Sequence, residues 1–261
     1  MKKLFSKRLL SILVAISFVF ICFATISCSS TKNTSSSESQ ISDLDLQVIN
    51  SDPAMNRQKV QNGTIIQCWC WSFNTIKENL PDIARAGFKA IQTSPINACR
   101  EGDEKGMALM SNTRTGGKWY YHYQPIAWKI GNYQLGTREE FKAMCEEAEK
   151  YGISVIVDVL PNHTSSYLPD VLPEFIEAVG GMDKLLHENG RRPIKNWSNR
   201  YEGTTGQMGG LPDVNTENPL FQEYFMDYMN DTILCGADGF RFDTAKHIGL
   251  PDDPRDDYSK D

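Results

Sequence analysis

The feature that most constrains the fold is a regular alternation of short apolar runs with longer amphipathic segments. Apolar, β-rich runs lie at 64–71, 88–94, 153–159 and 239–243. Helical periodicity lies between them, at 73–86, 137–151 and 216–234, and the second of these helices opens on a capping-box pattern, Thr137 with Glu140. Strands that are apolar on both faces and separated by helices predict a parallel β/α architecture.

Polar side chains gather at or just past the ends of these predicted strands: Gln92, Ser94, Asp158, Asn162, Arg241 and Asp243. A (β/α)8 barrel keeps its active site at that edge. A doubly wound sheet binds its ligand at the same edge, but no Gly-x-Gly-x-x-Gly follows any of the runs. The sequence therefore predicts the first four strands of a (β/α)8 TIM barrel, with residues 62–160 as its first part and 213–261 as its continuation. Between them, 161–212 form a loop-rich insertion after the third strand.

The last run carries an arginine and a carboxylate on one face. Side chains alternate across a strand, so Arg241 and Asp243 point one way while Phe240 and Phe242 point the other. Such a pair suits a site for neutral, hydroxyl-rich substrates, because the guanidinium keeps the carboxylate ionised. On its own the pattern is more typical of a structural ion pair at a strand end, next to the start of a helix.

The N-terminal residues predict export. Four basic residues precede an apolar stretch at 9–26 and a small-residue segment around Cys28. We interpret 1–27 as a lipoprotein-type signal peptide, Cys28 as the lipidated residue, and 28–61 as a Ser-rich tether. An ordinary cleaved signal or an uncleaved anchor are the alternatives. Each of them predicts an extracytoplasmic protein, secreted or attached to the cell surface by a lipid or signal anchor.

Composition excludes some partners. The net charge of −6 leaves no basic stripe for phosphates, so no nucleic-acid binding is expected. No paired Cys-x-x-Cys spacing suggests zinc, and the cysteines beyond the leader are predicted to be buried thiols, with Cys68 and Cys70 on one strand. A monomer is expected.

Several segments together resemble the α-amylase family (glycoside hydrolase family 13). In order and spacing, the matching motifs are DVLPNH at 158–163, LPDVN at 211–215 and GFRFDTAKH at 239–247. The aromatic segment KWYYHYQP at 118–125 resembles the loop after the second strand of amylases. Segments 71–75, 92–97 and 194–198 are similar to the saccharifying bacillus-type α-amylases. The resemblance extends over nearly all of the predicted globular part.

The resemblance implies a retaining glycoside hydrolase with Asp243 as its nucleophile. Its substrates would be starch, glycogen or maltooligosaccharides, cleaved at α-1,4-glucosidic bonds. Arg241 would hold the nucleophile ionised and aimed, and His163 would donate hydrogen bonds to hydroxyls of the sugar being cleaved. The remaining substrate-binding residues implied are Trp119, Tyr120 and Tyr123 on the non-reducing side, and Lys246 and His247 on the leaving-group side.

The resemblance also implies a structural calcium ion. Its ligands would be Asn162, Asp213 and the backbone carbonyls of Thr204 and His247. The ion would hold 161–212, which corresponds to domain B of amylases, against the barrel. Asp158 is interpreted as architectural support.

Two catalytic groups of the family have no counterpart. The general acid follows the fifth strand and a further carboxylate follows the seventh, so we expect a chain truncated after strand four, whose own activity is an open question. The alternatives are a non-catalytic lipoprotein that binds starch or maltooligosaccharides, and another family 13 enzyme that is maltogenic, cyclomaltodextrin-cleaving or transglycosylating.

Overall fold

The computed structural model describes residues 62–101 and 118–253. Its strands are β1 (Ile65–Cys68), β2 (Ala90–Thr93), β3 (Asn97–Cys99), β4 (Pro125–Ile130), β5 (Ser154–Val159) and β6 (Gly239–Phe242). Four of them form one parallel sheet in the order β1-β2-β5-β6. Each strand of this sheet lies beside the next one along the chain, without the reversal of order that a doubly wound sheet would show. This is the strand order of a β/α barrel.

Six helices are formed by the described residues: α1 (Phe73–Arg85), α2 (Arg138–Lys150), α3 (Pro173–Ala178), α4 (Met182–Leu185), α5 (Arg200–Thr205) and α6 (Pro219–Leu234). The predicted capping box at the start of α2 is present, with the Thr137 hydroxyl accepting from the Glu140 N–H and the Glu140 carboxylate accepting from the Thr137 N–H. Helix α6 begins three residues later than predicted. Asn218 caps its first turn and Pro219 takes the first helical position, where a missing N–H costs nothing.

The core joins the helices to the sheet. Phe73 of α1 and Phe141 of α2 are fully buried and meet edge to face at 5.2 Å between ring centroids. A second aromatic group centres on Trp128 of β4, whose ring contacts Phe175 at 5.2 Å and Phe221 at 5.0 Å. The Trp128 indole N–H donates to the Leu160 carbonyl at 3.1 Å. Trp128 therefore ties the long insertion, through α3, to both α6 and the end of β5.

Two local predictions differ from the structure. No strand was predicted between the second and third apolar runs, but β3 and β4 pair there as an antiparallel ladder with register shifts. Cys70 was expected on the same strand as Cys68, but β1 ends at Cys68 and Cys70 has a left-handed backbone with φ of 60°. The prediction of buried thiols is confirmed for Cys68, Cys70, Cys99, Cys145 and Cys235, which are all free and buried.

The insertion 161–212 is less irregular than its Gly, Asn and Pro content suggested, since it contains α3, α4 and α5. Its start is held on β4, where the Ser165 N–H donates to the Pro125 carbonyl at 2.9 Å. The predicted signal peptide, the tether and Cys28 lie outside the described residues. Within 62–101 and 118–253, no helix has both the length and the apolar content to cross a bilayer.

Candidate active site

The carboxyl-terminal ends of β5 and β6 place one arginine between two carboxylates. Asp158 and Arg241 are register partners on the two neighbouring strands. Asp243 follows β6 directly, and its backbone N–H donates to the Val159 carbonyl at 2.9 Å. The guanidinium Nη1 of Arg241 donates to Asp158 Oδ1 at 2.9 Å and to Asp243 Oδ1 at 2.7 Å. Charge-assisted bonds of this kind orient both carboxylates from a single donor.

The two carboxylates differ in their access to solvent. Asp158 is fully buried, whereas the Asp243 side chain is 19% exposed. The Tyr123 hydroxyl donates to Asp158 Oδ2 at 3.0 Å, so both oxygens of Asp158 accept a hydrogen bond. Burial raises the pKa of Asp158 to about 6, although the bonds from Arg241 and Tyr123 oppose the rise. Asp243 is therefore the carboxylate of this pair that a substrate could reach, and Asp158 holds Arg241 and Tyr123 in place.

Aromatic side chains lie on one side of this group. Trp119 and Tyr120 stand on a 3-10 turn with 45% and 42% of their surface exposed. The Trp119 ring meets those of Tyr120 and Tyr123 edge to face, at 6.0 and 6.1 Å between centroids. Trp69 adds a fourth ring at 5.2 Å from Trp119. Sequence reasoning missed Trp69 as a site residue, and its position directly after β1 was the signal that could have found it.

His163 contacts the backbone of Tyr123. It is 1% exposed, and its Nε2 lies 3.0 Å from the Tyr123 carbonyl, which can only accept, so that nitrogen carries the proton. Burial lowers the pKa of His163, which favours the neutral ring. The other nitrogen, Nδ1, has no partner among the described residues and then presents a lone pair. That nitrogen is itself buried, and the donation from His163 to a sugar hydroxyl stays a prediction.

The turn after Asp243 carries the two remaining predicted substrate residues. Thr244 has a left-handed backbone with φ of 52°, which turns the chain into a 3-10 segment, Ala245–His247. Lys246 is exposed, and His247 is buried with Nδ1 at 2.6 Å from the Gly203 carbonyl. The His247 ring also meets the Trp197 ring edge to face at 5.9 Å. The turn is thus attached to helix α5 of the insertion.

The four predicted calcium ligands fall into two neighbouring pairs. Asn162 and Asp213 belong to two paired segments, because the Val214 N–H donates to the Asn162 carbonyl at 2.8 Å and His163 forms a β-bridge with Asp213. Thr204 directly follows Gly203, whose carbonyl contacts His247. The chain therefore brings Asn162 to Asp213, and Thr204 to His247.

The surroundings of Asp213 fit a hard cation. The residue is 1% exposed, and its Oδ2 lies 2.7 Å from Nδ1 of His187, a neighbour that the sequence did not reveal. Its Oδ1 is buried with no hydrogen-bond partner within the described residues. Burial raises the pKa of Asp213 to about 7, although the side chains of His187 and Asn162 oppose the rise. A cation beside Oδ1 would offset the cost of a buried charge. The described residues hold no cluster of three or more His, Cys, Asp or Glu side chains suited to a metal, but a calcium site built on one carboxylate with amide and carbonyl oxygens is not such a cluster.

The fold and the site together define a class: a β/α-barrel protein with its polar site at the carboxyl ends of parallel strands. The family model described as "Alpha amylase, catalytic domain" matches residues 72–261. The chain belongs to the α-amylase catalytic-domain family. The predicted fold class, the first strands of a (β/α)8 barrel, is confirmed by this match and by the four parallel strands.

Curated relatives carry the same description. The α-amylase of Butyrivibrio fibrisolvens is 52% identical over 206 residues, which cover 78% of this chain and 21% of that protein. The α-amylase of Clostridium acetobutylicum is 37% identical over 197 residues, covering 73% of this chain and 24% of that protein. The chain thus spans about a fifth to a quarter of the length of these two relatives.

Solved structures agree on the fold. An Anoxybacillus α-amylase matches with a TM-score of 0.53 and 30% identity, covering 68% of this chain and 34% of that one. The α-amylase of Geobacillus thermoleovorans, solved in complex with acarbose, matches with a TM-score of 0.58 and 22% identity, covering 72% and 41%. At that identity the second likeness supports the fold alone.

Proposed function

We propose that the protein to which this chain belongs is a retaining α-amylase, which hydrolyses α-1,4-glucosidic bonds in starch, glycogen or maltooligosaccharides. The observation that carries the proposal is the Arg241–Asp243 bond of 2.7 Å at the carboxyl end of β6, with Asp243 partly open to solvent. Family membership and the α-amylase descriptions of the relatives support it.

In the proposed reaction, an oxygen of Asp243 attacks the anomeric carbon of the bound glucosyl unit. The bond from that carbon to the leaving oxygen breaks, and a covalent glycosyl-enzyme forms, which water then hydrolyses. Arg241 orients Asp243, because the same guanidinium nitrogen also donates to the buried Asp158 and is thereby fixed in place. The attacking carboxylate therefore needs little reorganisation when the substrate arrives.

Retaining hydrolysis also needs an acid that protonates the leaving oxygen, about 5 Å from the nucleophile. Asp158 is unsuited to that role, because it is fully buried and both of its oxygens already accept hydrogen bonds. Within residues 62–101 and 118–253 we assign the acid role to no carboxyl group. The resemblance places the acid on a later strand of the barrel, and that assignment stays a prediction.

The neighbouring side chains would bind the sugar chain. The exposed faces of Trp119 and Tyr120 suit pyranose rings, which present apolar C–H groups on their faces. His163 would contact a hydroxyl of the unit being cleaved. Lys246 and His247 would lie on the leaving-group side of Asp243.

Calcium is part of the proposal as a structural ion. Asn162 and Asp213 would supply side-chain oxygens, and Thr204 and His247 would supply carbonyl oxygens. When bound, the ion supplies positive charge that balances the buried carboxylate of Asp213 and joins the insertion to the turn after Asp243. The chemistry at the anomeric carbon remains with the protein side chains.

The cellular context is also a proposal, and it is supported by the sequence alone. We infer export with lipid attachment at Cys28, which would hold the catalytic part outside the cytoplasm on a Ser-rich tether. We further propose that the protein acts as a monomer.

Asp243→Asn tests the reaction in the protein encoded by the complete gene. We expect starch hydrolysis to fall by at least roughly 10³-fold, while maltoheptaose still binds, because the amide keeps the shape of the side chain and loses the nucleophilic charge. The matched control is Asp227→Asn on the exposed face of α6, which should leave hydrolysis unchanged. Starch binding without hydrolysis by the unmutated protein would instead favour the binding lipoprotein, and near-normal turnover by Asp243→Asn would refute the assignment of the nucleophile.

A further inference from the structure

Two cysteines line one cavity at the end of the sheet opposite the candidate active site. Cys145 lies on the buried side of α2, and Cys235 directly follows α6. Both thiols are free and buried, and the cavity that they share has a volume of about 330 Å³. Its lining includes Ser154, the first residue of β5, and Asp238, which precedes β6. The cavity therefore lies at the amino ends of these strands, whereas Asp243 follows the carboxyl end of β6, where a β/α barrel places its catalysis.

A glycine brings the two cysteines close together. Gly236 has a left-handed backbone with φ of 108°, and a Cβ atom on it would lie 2.8 Å from the Cβ of Cys145 and 4.0 Å from its Cα. A larger residue at this position would push α2 away from the end of α6. Cys235 is the neighbour of Gly236 in the chain, so the glycine holds the backbone around Cys235 against Cys145.

The two helices are also fixed to each other beside this pair. Nε of Arg138, the first residue of α2, donates to Oδ2 of Asp231 in α6 at 2.8 Å. The Cys235 N–H donates to the Asp231 carbonyl at 3.0 Å. Burial raises the pKa of the Cys145 thiol, and the charge of Cys235 raises it further, as expected of neighbouring sulfur atoms. The native fold thus holds the two thiols near each other.

We propose that Cys145 and Cys235 form a disulfide when the folded protein meets a small-molecule disulfide, and that this bond joins α2 to the end of α6. With glutathione disulfide, one cysteine thiolate attacks a sulfur of the reagent and releases one glutathione. The second thiolate then attacks the mixed disulfide and releases the other glutathione. The protein loses two electrons and two protons, and the reagent is reduced to two thiols. The inference goes beyond the proposed function, and the proposed export would place the protein where such a bond persists.

Peptide mapping of the complete protein tests the bond directly. The folded protein is incubated with glutathione disulfide, the remaining thiols are alkylated in urea, and the tryptic digest is analysed by mass spectrometry. Trypsin releases Cys145 in peptide 143–150 and Cys235 in peptide 201–241, each as the only cysteine of its peptide. We expect these two peptides to be joined, to separate after dithiothreitol, and to leave Cys99 alkylated as an internal control.

The melting temperature measures the consequence of the bond. A disulfide between distant residues restrains the unfolded chain, so oxidation should raise the melting temperature by roughly 3 °C or more. Cys145→Ala and Cys235→Ala should each abolish this rise. Cys99→Ala is the matched control, because Cys99 is another free, buried cysteine, and it should keep the rise. Starch hydrolysis should stay within about twofold on oxidation, because the bond lies at the end of the sheet away from Asp243.

The inference is overturned if both peptides are recovered alkylated, if each carries glutathione instead of the other peptide, or if they join only when urea is present during oxidation. The map of the unmutated protein decides this even where an alanine variant does not fold. None of these outcomes bears on the nucleophile, and loss of starch hydrolysis in the reduced, unmutated protein would count against the proposed function alone.

Discussion

Asp158 and Asp213 are both buried carboxylates beside the candidate active site, yet their surroundings differ. Burial raises the pKa of Asp158 to about 6 and that of Asp213 to about 7. Asp158 accepts from Arg241 and Tyr123, one on each oxygen. Asp213 meets His187 on Oδ2, while its Oδ1 has no partner in the described part of the chain.

The difference indicates how each charge is compensated. Arg241 provides the positive charge and Tyr123 the hydroxyl that hydrogen-bond to Asp158. This carboxylate can therefore hold both side chains in place without a bound ion. Asp213 Oδ1 is buried and has no hydrogen-bond partner within the described residues, and the only side chains that lower the pKa of Asp213 are those of His187 and Asn162. A buried carboxylate with so little compensation is costly, and the proposed cation would offset that cost. The comparison therefore assigns Asp158 to internal support and Asp213 to the proposed calcium site.

The largest expected effect is that of calcium removal. EDTA should lower the melting temperature of the unmutated protein by about 5 °C, since loss of a saturating ligand costs roughly 3 kcal/mol. Excess Ca²⁺ should restore it, as followed by differential scanning calorimetry. Asp213→Asn should lose the EDTA response, and Asp158→Asn should keep it. An EDTA response of equal size in both variants would break the distinction between the two carboxylates.

With chelator present, Asp158→Asn should be the more destabilising of the two substitutions. Asp158→Asn should lower the free energy of unfolding by about 2 kcal/mol, because an amide presents one donor where Arg241 and Tyr123 each need an acceptor. Asp213→Asn should change it by less than about 0.5 kcal/mol, because the amide oxygen still accepts from His187 and a buried charge is removed. Urea unfolding followed by tryptophan fluorescence measures both. The comparison fails if Asp213→Asn is the more damaging change under these conditions.

The pH dependence of stability should report Asp158. Its pKa in the folded protein, about 6, lies above the usual value near 4, so between these pH values the folded state binds more protons than the unfolded state. The free energy of unfolding should therefore be highest below pH 4 for this group and fall by about 2 kcal/mol as pH rises to 6. Urea titrations of the unmutated protein and of Asp158→Asn isolate the contribution by subtraction. A difference that grows in the opposite direction would contradict the raised pKa.

The smallest expected effect is that of the Tyr123 hydroxyl. Tyr123→Phe removes the donor to Asp158 Oδ2 and should lower the free energy of unfolding by about 1 kcal/mol. It should also move the fall in stability to higher pH, because the bond from Tyr123 lowers the pKa of Asp158. Tyr120→Phe, at an exposed neighbour, should change stability by less than about 0.5 kcal/mol. Equal effects of the two variants would mean that the hydroxyl of Tyr123 contributes nothing specific.

Local signals in the sequence were enough to predict the main elements. The strand predicted at 153–159 is Ser154–Val159, and the capping-box pattern of Thr137 and Glu140 starts α2 as expected. Such signals succeed because capping bonds and apolar periodicity involve residues within a few positions of one another. The β3–β4 pair was missed because its ladder joins Asn97 to Ile130 across a long segment with no regular alternation.

The sequence by itself also placed Arg241 beside Asp243, because the two are only two residues apart on one strand face. It did not reveal that Tyr123, predicted to bind substrate with Trp119 and Tyr120, also donates a hydrogen bond to Asp158. Nor did it reveal that His187 lies within hydrogen-bond distance of Asp213. Those contacts join residues 35 and 26 positions apart, and the Arg241–Asp158 bond joins residues 83 positions apart. Only the tertiary structure decided them, since burial and the choice of a charge's partner depend on how distant segments meet. The order of strands and the family were thus determined by the sequence. The fold decided that Asp158 accepts a hydrogen bond from the chain on each oxygen, whereas Asp213 has one buried oxygen without such a bond among the described residues.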